Sequence, residues 1–200
     1  MILDETPDRL GSLTEPMATA LADLRSGESV ARLWAADHTL WRPDETEISD
    51  RLGWLTVMPE MMIELEALRA QCLTLSEGTD HVVVMGMGGS SLFPHVVADS
   101  FTSGTGYPAL HVLDTTDPAA VARVGELPPE RTLYIASSKS GTTLETTSQL
   151  EWAWARHPDP SRFAVITDPG SELEALAVQR GFAAVWRNRA DIGGRYSALS

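Results

Sequence analysis

From residue 81 onward, short runs rich in β-branched residues alternate with stretches of helical character. The runs span 81–86, 109–114, 131–137, 162–168 and 182–186, and the candidate helices lie near 91–101, 117–125, 142–156 and 171–180. Successive strands that are separated by helices need crossover connections, which produce a parallel sheet with helices on both faces. We therefore predict an α/β domain over residues 76–200 with a five-stranded parallel sheet in a doubly wound sandwich.

The first 75 residues predict a helical segment that precedes this domain. The run from Thr14 to Gly27 has a hydroxyl residue at its start and a glycine at its end, and "VARLWAAD" and "ETEISDRLGWL" continue the helical pattern. The next run, "MPEMMIELEALRAQC", has a proline in its first turn and apolar residues three and four apart, which predict one buried face. These residues are Met58, Met61, Met62, Leu65, Leu68 and Cys72. We expect Cys72, the sole cysteine, to be a core residue without a redox role.

The charge balance narrows the choice of partners. The formal net charge of −13 argues against nucleic acid or an anionic membrane, since both select for clustered Lys and Arg. Residues 1–80 carry 16 acidic and 6 basic residues, whereas residues 81–200 carry 12 and 9, so the second part is better suited to an anionic ligand. No run approaches the roughly 18 apolar residues of a membrane span, and the N-terminus lacks a basic flank. We expect a cytoplasmic protein.

The turn after the first predicted strand is "GMGGSS", residues 86–91. Glycines let backbone amides approach an anion, and the N-terminus of the following helix adds a favourable dipole. Gly86, Gly88 and Ser91 nearly match a dinucleotide fingerprint, with Asp114 at the end of the next strand, but Ser91 stands where Gly or Ala is expected. A dinucleotide site, a structural tight turn and another kind of anion site all remain open at this turn.

The turn after the third predicted strand favours an anion site other than a dinucleotide site. It reads "SKSGTT", residues 138–143, and contains the sole lysine of the chain, Lys139. A phosphate monoester needs several donors from different directions, which hydroxyls and the free amides of a helix N-terminus supply together. An ordinary Ser/Thr helix cap accounts for one hydroxyl but poorly for four. The lysine is explained if this turn serves an anion.

These segments resemble a known family. The run "SSKSGTTLE" resembles the phosphate-binding loop of sugar isomerase (SIS) domains, and together with "GMGGSSL" and "DIGGRYSALS" it is similar to the glucose-6-phosphate isomerase family. The resemblance covers residues 76–200. The earlier "LWAADHTLW" and "RLGWL" resemble the isomerase portion of bacterial transaldolase/isomerase fusions.

The resemblance implies roles for particular residues. The loop hydroxyls of Ser138, Ser140, Thr142 and Thr143, with Lys139 among them, would hold the sugar phosphate, and Gly89 and Ser90 would contact the substrate. Arg195 would lie beside the C1–C2 region, where negative charge develops in an enediol intermediate. The resemblance also implies a homodimer for the full-length protein.

Aldose–ketose isomerisation further requires a ring-opening acid and a base that moves a proton between C2 and C1. The family takes these groups from segments that follow "GGRYS", so we expect this chain to be the N-terminal part of a longer enzyme and to be inactive alone. His95 and Glu145 are the residues to consider if a base lies within the chain. Such proton transfer needs no cofactor, and no Cys/His or carboxylate spacing suggests a metal.

Two other classes of function remain as alternatives. One is a stand-alone SIS module that senses a phosphosugar; such regulators usually carry a DNA-binding domain, for which the acidic N-terminal helices are poorly suited. The other is a dinucleotide-dependent enzyme, which Ser91 and the "SKSGTT" turn disfavour.

Overall fold

The computed structural model describes residues 10–101, 104, 106–194 and 196, and it contains one five-stranded sheet. The strands are β1 (His81–Gly86), β2 (Ala109–Leu113), β3 (Thr132–Ser137), β4 (Phe163–Thr167) and β5 (Ala184–Arg187). They are arranged in the order β2-β1-β3-β4-β5, and every neighbouring pair is parallel. The predicted parallel sheet is confirmed, with strand bounds within two residues of those expected from the sequence.

Helices connect all successive strands and also precede the sheet. They are α1 (Thr14–Ser26), α2 (Ser29–Trp34), α3 (Val57–Ser76), α4 (Gly89–Ser100), α5 (Pro118–Gly125), α6 (Leu144–Arg156) and α7 (Glu172–Arg180). The step from β1 to β2 runs in the opposite direction to the later steps, so right-handed crossovers place α4 on one face and α5, α6 and α7 on the other. No helix within the described residues combines the length and the apolar character needed to cross a membrane.

The main core lies between the sheet and the layer formed by α5, α6 and α7. Alternate strand residues such as Val83, Tyr134 and Phe163 point into it and are at most 2% exposed. The rings of Tyr134 and Phe163 stack with their centroids 5.3 Å apart, and Leu150 of α6 is fully buried against this cluster. This packing makes the strands a rigid platform for the turns at their carboxyl ends.

The predicted buried face of α3 is wrong. Val57 is its one buried residue, Met62 is 63% exposed, and Cys72 is an exposed free thiol rather than a core residue. Spacings of three and four place residues on one side of a helix, but they do not supply a surface that covers that side. The helix meets the sheet near its C-terminal half, where Gln71 Oε1 accepts a hydrogen bond from Trp186 Nε1 (3.0 Å) and Leu75 lines an apolar groove of about 250 Å³.

The segment before α3 also differs from the helical prediction. Residues 45–55 form two short 3-10 turns, Ser49–Arg51 and Gly53–Leu55, rather than an α-helix. Their backbone pairs instead with the loop after β5: Leu52 and Ile192 form an antiparallel bridge, and the Gly53 amide donates to the Asp191 carbonyl (2.8 Å). The N-terminal segment therefore reaches the edge of the sheet at which the strands end. The division at residue 75 stays a prediction, but these contacts cross it.

Candidate functional site

The strand order creates a topological switch point at the carboxyl ends of β1 and β3. The helices that follow these strands, α4 and α6, leave on opposite faces of the sheet, and a crevice opens where they part. This crevice is a cleft of about 530 Å³. The residues that line it are Arg51, Met87, Gly89, Ser90, Lys139, Ser140, Thr143, Asp168 and Gly194.

The turn after β1 is closely packed against the end of β3. A Cβ atom at Gly86 would lie 2.8 Å from the Ser137 carbonyl oxygen and 3.1 Å from Ser90 Cβ, so a side chain there would push the two strand ends apart. Ser91 is 2% exposed, and its hydroxyl donates to the Gly88 carbonyl (3.1 Å). Ser91, which departs from the dinucleotide pattern, therefore stabilises the turn through this hydrogen bond. Gly89 and Ser90 line the cleft.

The loop after β3 is organised by its own hydroxyl groups. Ser138 is buried, its hydroxyl donates to Thr143 Oγ1 (3.1 Å), and its Oγ accepts the amide hydrogen of Gly141 (3.2 Å). Ser140 and Thr142 share a hydrogen bond between their hydroxyls (3.0 Å). Because Thr143 Oγ1 accepts from Ser138, the Thr143 hydroxyl hydrogen is available to a ligand. The loop thus directs some hydroxyls inward for support and others toward the cleft.

The first turn of α6 adds backbone donors to this loop. Thr143 precedes the helix in an extended conformation, and its side chain makes no capping hydrogen bond. The first amides of an α-helix have no partners within the helix, and the helix dipole favours negative charge beside them. Hydroxyls and amides at one helix start can together surround an anion.

Lys139 does not extend freely into the cleft. Its ammonium donates to Asp168 Oδ2 (2.6 Å), at the end of β4, and to the carbonyl of Ala190 (3.2 Å), in the loop after β5. The Asp168 amide in turn donates to the Lys139 carbonyl (3.0 Å). The side chains of both residues of this ion pair are about four-fifths buried. Through these hydrogen bonds the lysine links the hydroxyl loop to the loops after β4 and β5.

The loop after β5 is tied to α3 through Arg189. The Arg189 guanidinium binds both carboxylate oxygens of Asp191 (2.9 and 2.6 Å) and also donates to Thr56 (3.0 Å) and Glu60 (2.8 Å). The hydrogen bonds from Arg189 hold the pKa of the Asp191 carboxyl below its ordinary value. The loop then continues to Gly194, which lines the cleft. Arg195, the predicted catalytic arginine, lies outside the described residues.

The structure brings most of the predicted site residues together. Gly89, Ser90, Lys139, Ser140 and Thr143 line one cleft, and Ser138 and Thr142 support it through hydrogen bonds to Thr143 and Ser140. Sequence reasoning missed Arg51 and Asp168, which line the same cleft. Asp168 could have been suspected from its position at the end of a strand. Arg51 belongs to the "RLGWL" segment quoted above, but no local feature of that segment indicates that it would reach the cleft.

The alternative candidates for a base lie elsewhere. His95 is within 3.2 Å of Asp114 and lines a separate cavity beside β2. Glu145 is an exposed residue in the first turn of α6 and does not line the cleft. Across the part of the chain that the structure describes, no three His, Cys, Asp or Glu side chains are grouped so as to hold a metal ion.

Comparison with known proteins gives a family match. Residues 54–200 match the family model described as Phosphoglucose isomerase. A curated relative, a glucose-6-phosphate isomerase from Thermus thermophilus, is 33% identical over 168 residues, which cover 77% of this chain and 38% of that protein. The chain spans little more than a third of the length of such curated relatives.

Solved structures share the fold. A hypothetical protein, also from Thermus thermophilus, superposes with a TM-score of 0.73 at 30% identity, over 92% of this chain and 43% of that one. A glucose-6-phosphate isomerase from Chlamydia trachomatis superposes with a TM-score of 0.58 at 24% identity, over 83% of this chain and 32% of that one. Because the Chlamydia trachomatis protein is 24% identical to this chain, its likeness shows the fold alone.

Proposed function

Because the chain belongs to the phosphoglucose isomerase family, we propose that its cleft binds a sugar phosphate and that the chain forms the phosphate-binding portion of a glucose-6-phosphate isomerase. The observation that carries this proposal is the meeting of two turns at the switch point. The hydroxyl loop after β3 and the glycine-rich turn after β1 line the same cleft, although they are separated by about fifty residues in the sequence.

The hydroxyl loop has the chemistry that a phosphate dianion requires. Thr143 and Ser140 supply hydroxyls at the cleft, Ser138 and Thr142 orient them, and the first amides of α6 add backbone donors. Donors of these two kinds at a helix start approach an anion from several directions. The phosphate would lie at the start of α6, and the sugar would extend toward Gly89 and Ser90.

The ammonium of Lys139 contributes in a different way. It lies at the cleft but is bonded to Asp168, so its charge is largely compensated by the carboxylate. We infer that its main contribution is to hold the phosphate loop in place against the loops after β4 and β5. The lysine remains a candidate phosphate contact if a ligand displaces Asp168.

Isomerisation needs positive charge near the developing enediolate and a base that moves the proton between C2 and C1. Arg195 is our candidate for the positive charge, because it belongs to the "DIGGRYSALS" segment that resembles the family. In the sequence it follows Gly194, which lines the cleft. The one carboxylate among the described residues of the cleft is Asp168, and it is already bonded to Lys139. We therefore propose that residues 1–200 bind the substrate and that the base and the ring-opening acid come from other segments of the complete enzyme.

Titration calorimetry with glucose 6-phosphate tests the binding proposal. We expect Thr143→Val to weaken binding about tenfold or more, because a hydrogen bond to a charged group contributes roughly 1.5 to 3 kcal/mol. Thr147→Val is the matched control: it is one turn further along α6, its hydroxyl bonds the Thr143 carbonyl (3.1 Å), and it does not line the cleft. Equal affinities of the two variants would remove Thr143 from the site.

A coupled assay for fructose 6-phosphate tests the division of roles. The 200-residue chain should bind the sugar phosphate without turnover, since general acid and base groups each contribute roughly 10² to 10⁴ in rate. An Arg195→Met variant distinguishes activity of the chain from contaminating host isomerase. Turnover that this variant abolishes would show that a base lies within the chain, with Glu145 and His95 as the first residues to substitute.

A further inference from the structure

We propose that Arg51 is a further ligand-binding residue of the cleft, whose guanidinium binds the sugar phosphate from the N-terminal segment. This inference rests on the proposed function and extends it to a residue outside the hydroxyl loop and the glycine-rich turn. Arg51 lines the cleft together with Ser90, Lys139 and Ser140, although it lies 30 residues before β1 along the chain.

The backbone of Arg51 is held firmly at this position. Its carbonyl accepts a hydrogen bond from the Gly193 amide (3.4 Å), and the adjacent residue, Leu52, forms the antiparallel bridge with Ile192. Leu52 is 8% exposed and Ile192 is fully buried. The 3-10 turns on either side of Leu52 thus present Arg51 at the mouth of the cleft while the neighbouring leucine anchors the segment.

The side chain of Arg51 lies along the loop that leads to Gly194. A Cβ atom built at Gly193 would lie 3.5 Å from Arg51 Cδ and 3.6 Å from Arg51 Cβ, so the aliphatic stem passes close to Gly193. Arg51 also lines a second cavity beside Trp54 and Tyr196, and we infer that its guanidinium turns to the cleft when an anion is bound.

The charge of Arg51 is weakly compensated. Among the described residues, its guanidinium pairs with the carboxylate of Asp50, its neighbour in sequence, at 3.5 Å. The two side chains are 41% and 61% exposed. Exposed pairs of this kind contribute little to stability. The Lys139–Asp168 pair is shorter and more buried, at 2.6 Å with about 20% exposure. Arg51 can therefore turn to an incoming anion at a lower cost than Lys139.

The chemistry of the guanidinium suits the proposed ligand. Arginine binds phosphate oxygens through two parallel N–H donors, and its charge is retained at any physiological pH. The chain carries a net charge of −13, which opposes the approach of an anion. A weakly compensated cation at the cleft offsets this repulsion locally and adds a contact on a wall that the hydroxyl loop does not provide.

Titration calorimetry at low ionic strength with glucose 6-phosphate tests this inference. Arg51→Met keeps the aliphatic stem and removes the charge, and we expect it to weaken binding about tenfold. Arg51→Lys keeps the charge without the two parallel donors and should lose less. Arg25→Met, in the last turn of α1, makes the same change in net charge away from the cleft and should stay within about twofold of the unsubstituted chain.

A second measurement separates a ligand contact from a structural role. If Arg51 binds the anion, the affinity of Arg51→Met should depend less on salt than that of Arg25→Met, while urea unfolding of both variants stays similar. Equal affinities of Arg51→Met and Arg25→Met would overturn the inference and leave the proposed function intact, provided that Thr143→Val still weakens binding. No measurable affinity in the unsubstituted chain would overturn both. If Arg51→Met does not fold, Arg51→Lys decides: a loss of at least about threefold supports the contact, and an unchanged affinity refutes it.

Discussion

Substituting Gly141 with alanine should destabilise the protein through both backbone strain and a steric clash. Gly141 has a φ of +70°, a conformation that costs an L residue about 1 to 2 kcal/mol. Its new Cβ would also lie 2.7 Å from Ser171 Cβ, 2.9 Å from Ser171 Oγ and 3.1 Å from Leu173 Cβ. Ser171 caps α7 through the Glu174 amide, so it cannot move away without weakening that cap.

The chain contains a matched control for the backbone contribution. Gly170, in the neighbouring turn after β4, has a φ of +77°, but a Cβ there would have no heavy atom within 4 Å. Gly170→Ala should therefore lower the free energy of unfolding by about 1 to 2 kcal/mol. Gly141→Ala should cost this amount and about 1 to 3 kcal/mol more, which is the usual range for overpacking.

Urea unfolding, followed by circular dichroism, measures the two free energies. Calorimetry with inorganic phosphate should in parallel show weaker binding for Gly141→Ala, since residue 141 lies between Ser140 and Thr143 and a shift there displaces both hydroxyls. Gly170→Ala should bind as the unsubstituted chain does. Equal destabilisation by the two substitutions would refute the predicted clash. Unchanged phosphate affinity in Gly141→Ala would show that the loop does not need this close packing to bind an anion.

Two further predictions concern titration and loop coupling. Burial lowers the pKa of His111 from its ordinary value of 6.5, and the nearby charge of His81 lowers it further. The Nδ1 atom of His81 lies 3.1 Å from the Nε2 atom of His111. Because the folded-state pKa of His111 is depressed, the stability associated with its neutral form is present above about pH 6.5 and is lost as the pH falls below it. The urea midpoint of the unsubstituted chain should therefore fall more between pH 7.5 and 5.5 than that of His111→Gln. Equal shifts of the two midpoints would contradict this prediction. The Lys139–Asp168 pair should show a coupling energy of about 1 kcal/mol in a double-mutant cycle with Lys139→Met and Asp168→Asn, because the pair is more buried than ordinary surface pairs. Additive effects would mean that the lysine does not link these loops.

The sheet and the order of the residues in the hydroxyl loop could be predicted from the sequence because both depend on local patterns. Strands of four to six residues that alternate with helices can form only a limited set of parallel arrangements, and the observed strands follow those predicted. Likewise, Thr143 directly precedes α6, so its place beside the N-terminal amides of that helix follows from sequence neighbours alone. Ligand crevices lie at the carboxyl ends of parallel strands, so the sequence also predicted the edge of the sheet at which the cleft of the candidate site lies.

Contacts between distant segments were decided only by the tertiary structure. The pattern of apolar residues on α3 predicted a buried face, but burial depends on whether another surface covers the helix, and Met62 and Cys72 are exposed. The sequence predicts that Lys139 belongs to an anion-binding turn, whereas its partner Asp168 is 29 residues away and becomes a neighbour because β3 pairs with β4. Arg51 reaches the cleft because Leu52 pairs with Ile192, some 140 residues later. Such pairings depend on how the chain closes in space, and no local pattern encodes them.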